Sequence, residues 1–207
     1  MMNKYLFFYF AVVFSCLANA ASITSTATGG TYSLTTTWSG GIVPGAGDDV
    51  TIAAGATVTV TDARTCLSLT MNGASAYTTL QINSGITLTV TGALTVNPPT
   101  GGNNDNTIAV GDGILVCGSF TTVNSGNNNR RCLLTINTGT LTCSGNFTIG
   151  NNTTRNLVTF TSSGLLQLGG GTNTIANGQF TPSTGTIEYN MAGAQSVLTL
   201  SYYSLKC

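Results

Sequence analysis

The sequence predicts an all-β protein, a right-handed parallel β-helix (β-solenoid) of about six coils, with no significant helix after residue 20. Apolar and polar residues alternate over short stretches, which is typical of strands. Each of these stretches is followed by a glycine and by a second alternating stretch, and the three together form a block. The block returns every 21 to 30 residues, a period typical of solenoids. Only 6% of residues are charged, so few residues favour exposed helices. The block glycines are Gly55, Gly85, Gly113, Gly139, Gly164 and Gly185.

The first block, residues 50–60, shows how each coil is expected to form. Its alternation points Val58 and Val60 inward and Thr59 outward, and inward residues of successive blocks should stack. We expect the six glycines to lie at one corner, where a positive φ favours glycine. A weaker apolar segment such as residues 94–96 follows most blocks and predicts a third face. A β-sandwich also explains the alternation, but it does not explain the regular return of the block.

The first twenty residues have the pattern of a secretory signal peptide. Lys4 gives a basic start, residues 5–17 are apolar, and residues 18–20 are a small–x–small cleavage site. Cleavage after Ala20 predicts a protein that is secreted or held at the cell surface. No later segment is long and apolar enough for a transmembrane span. Residues 21–62 are then the N-terminal cap and first coil, and residues 63–207 are solenoid repeats truncated at the C-terminus.

Charge is sparse and balanced beyond the signal peptide. Five basic and six acidic residues follow residue 20, so the net charge is 5 − 6 = −1, and no nucleic-acid partner is predicted. The chain has no histidine, which removes the commonest general base and metal ligand. The acidic residues are scattered, so we predict no catalytic residues and no cofactor. The basic residues are Arg64, Arg130, Arg131, Arg155 and Lys206.

The most specific motif is TWSGGIVPGAGDDVTI, residues 37–52. It resembles the opening of the eight-glycine domain of large extracellular proteins, and the start of many secreted surface proteins of Bacteroidetes-type bacteria. In those proteins a Trp, a Gly-x-x-Pro turn and an acidic pair lead into the first strand, here through Trp38, Pro44, Asp48 and Asp49. Such proteins are usually longer and often end in a secretion-sorting domain. The resemblance implies a secreted surface protein with parallel β-helix repeats, present here as a fragment or a short member.

Several residues of this motif have two interpretations. Trp38, the single tryptophan, covers the open end of the first coil or offers a platform on which a sugar stacks. Asp48 and Asp49 anchor a turn or bind Ca²⁺. Further along, Arg130, Arg131 and Arg155 stand in Asn-rich loops about one coil apart and are candidate ligand contacts.

Five cysteines follow the signal peptide, an odd number that argues against a complete disulfide framework. Cys117 and Cys143 occupy the same place in successive blocks. Two interpretations remain open: a ladder of small buried residues, or a disulfide between coils. Stacked strands lie ~4.8 Å apart, and disulfides tolerate Cα separations of ~4.4–6.8 Å.

These observations favour an exported, non-catalytic β-solenoid, a cell-surface structural or adhesin-like module that contacts polysaccharide. A polysaccharide lyase or hydrolase fragment is the first alternative, since parallel β-helices include such enzymes. The end of the chain predicts an open coil, with Tyr189, Val197, Leu198 and Leu200 uncovered, through which copies self-associate.

An ice-binding protein is the second alternative, because Thr-x-Thr is abundant in the sequence. An ice-matching face should carry threonine in every coil. Two expected outward columns fail this test, one of them Thr51, Gln81, Ala109, Thr135 and Thr159. The other is Thr59, Thr89, Val116, Thr142, Gln167 and Glu188.

Overall fold

The computed structural model describes residues 20–124, 129–152 and 154–207, and the chain is a parallel β-solenoid of about seven turns, 3% helical. The predicted signal peptide lies, except for Ala20, outside the described residues. Two short 3-10 helices, Thr35–Thr37 and Asn177–Gln179, lie in loops. The strands in this part of the chain are β1 (Ser22–Thr24), β2 (Gly29–Thr31), β3 (Asp49–Ile52), β4 (Thr57–Val60), β5 (Arg64–Cys66), β6 (Ser68–Met71), β7 (Thr78–Ile82), β8 (Thr87–Val96), β9 (Asp105–Val110), β10 (Ile114–Thr122), β11 (Arg131–Ile136), β12 (Thr140–Cys143), β13 (Phe147–Thr148), β14 (Asn156–Phe160), β15 (Leu165–Leu168), β16 (Phe180–Thr181), β17 (Thr186–Tyr189) and β18 (Ser204–Lys206).

The all-β solenoid prediction is confirmed, and the strands form three faces. Face one is the sheet β2-β4-β7-β9-β11-β14-β16, paired in parallel. Face two holds β5, the first half of β8, the first half of β10, β12, β15, β17 and β18. Face three holds β1, β3, β6, the second halves of β8 and β10, and β13. Because β8 and β10 run through both, faces two and three are one 11-stranded sheet.

Inward residues form continuous apolar columns, as the alternation predicts. The column of face two is fully buried, and each of its aliphatic side chains contributes roughly 1.5–3 kcal/mol to folding. On face three the rings of Phe120 and Phe147 stack at 4.7 Å between centroids. Val58 was expected in the face-two column but pairs with Leu80 on face one. The face-two column is Leu88, Leu115, Leu141, Leu166 and Ile187.

The expectation that six glycines share one corner is wrong for Gly55. Five of them turn the chain from face one to face two: Gly85, Gly113, Gly139, Gly164 and Gly185. Gly55 instead lies between β3 on face three and β4 on face one. The same local pattern therefore occurs at two different corners.

Close approach between coils explains most of these glycines better than a positive φ does. Gly85 does have φ +70°, but Gly139 does not require a positive φ. A Cβ at Gly139 would lie 2.3 Å from the carbonyl oxygen of Gly113 in the preceding coil. A second column with the same crowding, which the repeating block does not predict, marks the bend between faces two and three: Gly92, Gly118, Gly145 and Gly170.

Aromatic side chains cover the first coil where it lacks a face-two strand. Residues 32–48 replace that strand, and Trp38 is 2% exposed. The Trp38 Nε1–H donates to the carbonyl oxygen of Tyr32 at 2.7 Å, and the two rings meet edge to face at 4.8 Å. The guanidinium of Arg64, on the first face-two strand, lies 5.9 Å from the centre of the Tyr32 ring. Pro44 is buried in the turn that leads into β3.

The last coil is better covered than the sequence suggests, so the expectation of exposed apolar residues there is wrong in part. Tyr189 is buried, and its hydroxyl accepts a hydrogen bond from the Leu198 N–H at 3.0 Å. Its hydroxyl pairs with that of Tyr202 at 2.8 Å, and Leu198 and Leu200 pack against the core. Val197 is exposed, as expected. Self-association through this end stays a prediction.

Candidate functional site

A column of polar side chains lines the edge where the chain enters face one. Arg131 is in register with Asp105 on the preceding coil, and Arg155 directly precedes the pair Cys132–Asn156 on the next coil. Tyr77 directly precedes the pair Thr78–Asn106, so it lies beside Asp105. The parallel register thus brings Tyr77, Asp105, Arg131 and Arg155 to successive positions. Residues separated by up to 78 positions in the sequence become neighbours.

The centre of this column is an ion pair between coils. The Arg131 Nε–H donates to Asp105 Oδ1 at 2.8 Å, and the Nη2–H donates to Oδ2 at 2.6 Å. The Asp105 side chain is 16% exposed and that of Arg131 is 43% exposed. The hydrogen bonds that the Arg131 guanidinium donates to the Asp105 carboxylate raise the pKa of that guanidinium. Such a two-point pair fixes the plane of the guanidinium.

An open groove of about 280 Å³ lies over this pair. Its polar groups are a carboxylate, a guanidinium, two amides and a hydroxyl, which together offer donors and acceptors in several directions. The asparagines come from the loops that precede β9 and β11, where coil length varies. The lining residues are Asn103, Asp105, Asn129, Arg131 and Thr154.

Tyr77 adds an aromatic ring to this edge. The residue is 60% exposed, and its hydroxyl donates to the carbonyl oxygen of Asn103 at 2.8 Å. The hydrogen bond anchors the far end of the ring to the loop that lines the groove. An exposed aromatic ring held in one orientation is a typical ligand contact, because it offers apolar area at small entropic cost.

The structure brings together only part of the predicted ligand-contact set. Arg131 and Arg155 meet on neighbouring coils, and Arg130 directly precedes Arg131, as the loop spacing suggested. Sequence reasoning missed Tyr77 and Asp105. The signal that could have found them is the inward pair Thr78 and Asn106, which fixes the register of these coils.

The N-terminal candidates have structural roles. Trp38 is buried, so its ring faces are not open to a sugar, and the cap interpretation holds. Both carboxylate oxygens of Asp48 accept backbone N–H groups, from Ala21 at 2.9 Å and Gly45 at 2.8 Å. Asp49 accepts a hydrogen bond from the Ser68 hydroxyl on the next coil. These contacts are those of an anchored turn.

Cys117 and Cys143 are direct register partners, and both are buried free thiols. The hydrogen bond with the Cys143 thiol, and then burial, raise the pKa of Cys117. Burial also raises the pKa of Cys66 to about 11 and that of Cys132 to about 12. The ladder interpretation therefore describes this pair.

Other charged groups lie apart from the groove. Asp112 accepts hydrogen bonds from the Thr138 hydroxyl at 2.6 Å and the Asn137 amide at 2.7 Å, and these bonds lower its pKa. Residues 20–124, 129–152 and 154–207 contain no group of three His, Cys, Asp or Glu side chains positioned to hold a metal ion. In the same residues, no helix has the length and apolar character needed to cross a membrane. No protein-family model matches the chain, and neither does any curated protein or solved structure.

Proposed function

We propose that the chain is an exported, non-catalytic β-solenoid that acts as a cell-surface structural or adhesin-like module and contacts anionic polysaccharide. The groove beside Tyr77 is the observation that carries this proposal. Planar polar groups line the groove on a sheet edge, and the Tyr77 hydroxyl is bonded to the carbonyl oxygen of Asn103, one of the lining residues. The signal-peptide pattern of residues 1–20 supports export.

The charge around the groove favours an anionic sugar. Arg130 directly precedes Arg131, and Arg155 lies beside it in the register of the next coil, so these three arginines and Asp105 carry a formal charge of 3 − 1 = +2 along this edge. Three of the five basic residues that follow residue 20 are therefore in one place. Guanidinium groups bind carboxylates and sulfates through paired hydrogen bonds, which suits the acid groups of a polyuronate or a sulfated glycan.

The remaining groups fit the neutral part of a sugar. The ring of Tyr77 offers an apolar surface to one side of a pyranose, while the amides of Asn103 and Asn129 offer donors and acceptors to its hydroxyls. The groove is open and crosses neighbouring coils, so an extended chain can pass through it. Contact of this kind is weak at one site and gains strength when several copies on a surface bind one polymer.

The enzyme alternative finds less support at this site. Glycoside hydrolysis requires two carboxyl groups, roughly 5–9.5 Å apart, one of which carries a proton. Asp105 is the one carboxylate among the lining residues, and Arg131 engages both of its oxygens. The lining residues therefore do not supply the pair of carboxyl groups that this reaction requires.

Binding to immobilised polygalacturonate, with dextran as the neutral control, tests the proposal. We expect the wild-type chain to bind polygalacturonate selectively, and Arg131→Gln or Tyr77→Ala to weaken binding about tenfold, which is ~1.4 kcal/mol. Lys206→Gln is the matched control, because it removes one exposed positive charge far from the groove and should leave affinity unchanged. Equal losses in Arg131→Gln and Lys206→Gln would contradict a groove-specific contact. Release of sugar fragments by the wild-type chain would favour the enzyme.

A further inference from the structure

Face three carries an uninterrupted column of threonines on its outward side, one in each successive coil. Register pairs join every neighbour in the column: the strands from β1 to β13 supply six members, and an isolated parallel bridge adds the last. The column, hereafter the threonine column, is Thr24, Thr51, Thr70, Thr95, Thr121, Thr148 and Thr174.

The other outward columns are mixed, as expected from the sequence. Val116, Gln167 and Glu188 interrupt the threonines of face two. Gln81 and Ala109 interrupt those of face one. Thr51, which the sequence places in the face-one column, pairs instead with Thr24 and Thr70 on face three. Face three therefore carries one threonine in each successive coil.

The hydroxyls of the threonine column are free to bind water. None of the seven makes a hydrogen bond with another group of the described chain. On face two, by contrast, the Thr142 hydroxyl bonds to Gln167 at 2.7 Å and Gln167 bonds to Glu188 at 2.8 Å. The threonine column therefore presents seven hydroxyls and seven methyl groups to solvent.

The spacing of the threonine column is regular and rigid. Neighbouring parallel strands lie about 4.8 Å apart, so six intervals extend over about 29 Å. A β-branched side chain has few rotamers, and a fully buried inward column supports this face from behind. That inward column is Leu69, Leu94, Phe120 and Phe147. A repeat of this size is close to the repeat of water oxygens along one axis of ice.

The rest of the face is small and nearly uncharged. The adjacent outward column, from Ser22 to Ser119, contains one charge, Asp49, which accepts a hydrogen bond from Ser68. Surfaces that dock proteins are anchored by aromatic and arginine side chains, and neither outward column contains one. A regular array of hydroxyl and methyl groups suits an ordered layer of water instead.

We infer that face three binds ice through the threonine column. The methyl groups order the water between them, the free hydroxyls bond to that layer, and the layer joins the ice lattice. This activity is separate from polysaccharide contact, because the groove lies on the edge of face one.

Partition of the purified full chain into slowly growing ice tests this inference. We expect wild type to be enriched in the ice fraction relative to an inert protein of similar size. Thr95→Lys with Thr121→Lys, two register partners, should abolish the enrichment. The matched control is Thr135→Lys with Thr159→Lys, register partners on face one, which should bind like wild type.

The melting temperature of each variant shows whether it is folded. If the face-three lysine pair does not fold, Thr95→Ser with Thr121→Ser removes just the two methyl groups and should still reduce the enrichment. Partition of wild type equal to that of the inert protein would overturn the inference. Equal losses in the face-three and face-one lysine pairs would overturn it too, because they would mean that the threonine column is not the contact.

Discussion

Gly139 lies directly beneath the backbone of Gly113, so closely that a Cβ at Gly139 would come within 2.3 Å of the Gly113 carbonyl oxygen. This approach, repeated down the corner between faces one and two, sets how closely successive coils stack. Glycines with such a close neighbour are required by the stacking of the coils, whereas glycines with no atom near an added Cβ are not.

Gly139→Ala should therefore destabilise the fold by roughly 1–3 kcal/mol, because the added methyl group forces two coils apart. Gly47→Ala is the control: Gly47 does not have a positive φ, and a Cβ there would meet nothing within 4 Å. Urea denaturation of both variants provides the comparison. Similar midpoints for the two variants would contradict the close stacking at this corner.

Leu94 and Thr95 test the inward and outward assignment on face three. Leu94 is fully buried, so Leu94→Ala should cost roughly 2–5 kcal/mol of unfolding free energy. Thr95 points outward and its hydroxyl has no partner in the described chain, so Thr95→Ala should cost less than about 0.5 kcal/mol. Chemical denaturation measures both changes, and equal losses would mean that the assignment is wrong.

Trp38 should be essential to the N-terminal end. Trp38→Ala removes a buried ring and leaves the Tyr32 carbonyl without its donor, at a cost of roughly 3–5 kcal/mol. Leu34→Ala, at an exposed position in the same segment, is the control and should have little effect. Thermal denaturation distinguishes them; a stable Trp38→Ala variant would show that the ring is not the cap.

The buried thiols should be unreactive in the native chain. Burial raises the pKa of Cys66 to about 11 and of Cys132 to about 12, so few thiolates exist at pH 8. Mass spectrometry after alkylation at pH 8 should find Cys207 labelled and Cys66, Cys117, Cys132 and Cys143 protected until the chain unfolds. Rapid labelling of Cys132, or a Cys117–Cys143 disulfide, would contradict this prediction.

The same shifts predict that stability falls in alkali. Folding raises the pKa of these thiols above the value of about 9 that a thiol has in the unfolded chain. Their contribution to native-state stability is therefore complete below about pH 9. It is lost as the pH rises through the pKa of the folded state. The urea midpoint should therefore decrease between pH 9 and pH 11. A midpoint that does not change over this range would contradict the burial of these thiols.

The sequence alone predicts the solenoid and much of its core. Leu115, Leu141 and Leu166 alternate with polar residues at a steady spacing, and the structure stacks them as expected. The block around Gly55 was assigned to the wrong corner because the pattern is local: two strands separated by a glycine look alike at any corner. Only the pairing partners show which face a strand joins.

The candidate site could be predicted only in part for the same reason. Arg130 and Arg131 stand out in sequence because charge is sparse. Tyr77 belongs to no motif, and it becomes significant when the register places it beside Asp105. The threonine column was missed because its members come from strands of unequal length, so no fixed period links them.

The most direct test of the proposed function is hydrogen–deuterium exchange of the intact chain with and without a polygalacturonate oligomer. If polysaccharide binds in the groove, exchange should slow in the segments that contain Tyr77, residues 103–105 and residues 129–131, and face three should be unchanged. Arg131→Gln should remove this protection, and Lys206→Gln should retain it. Protection confined to face three, or no protection in the groove segments under conditions where the chain binds the oligomer, would contradict the proposal.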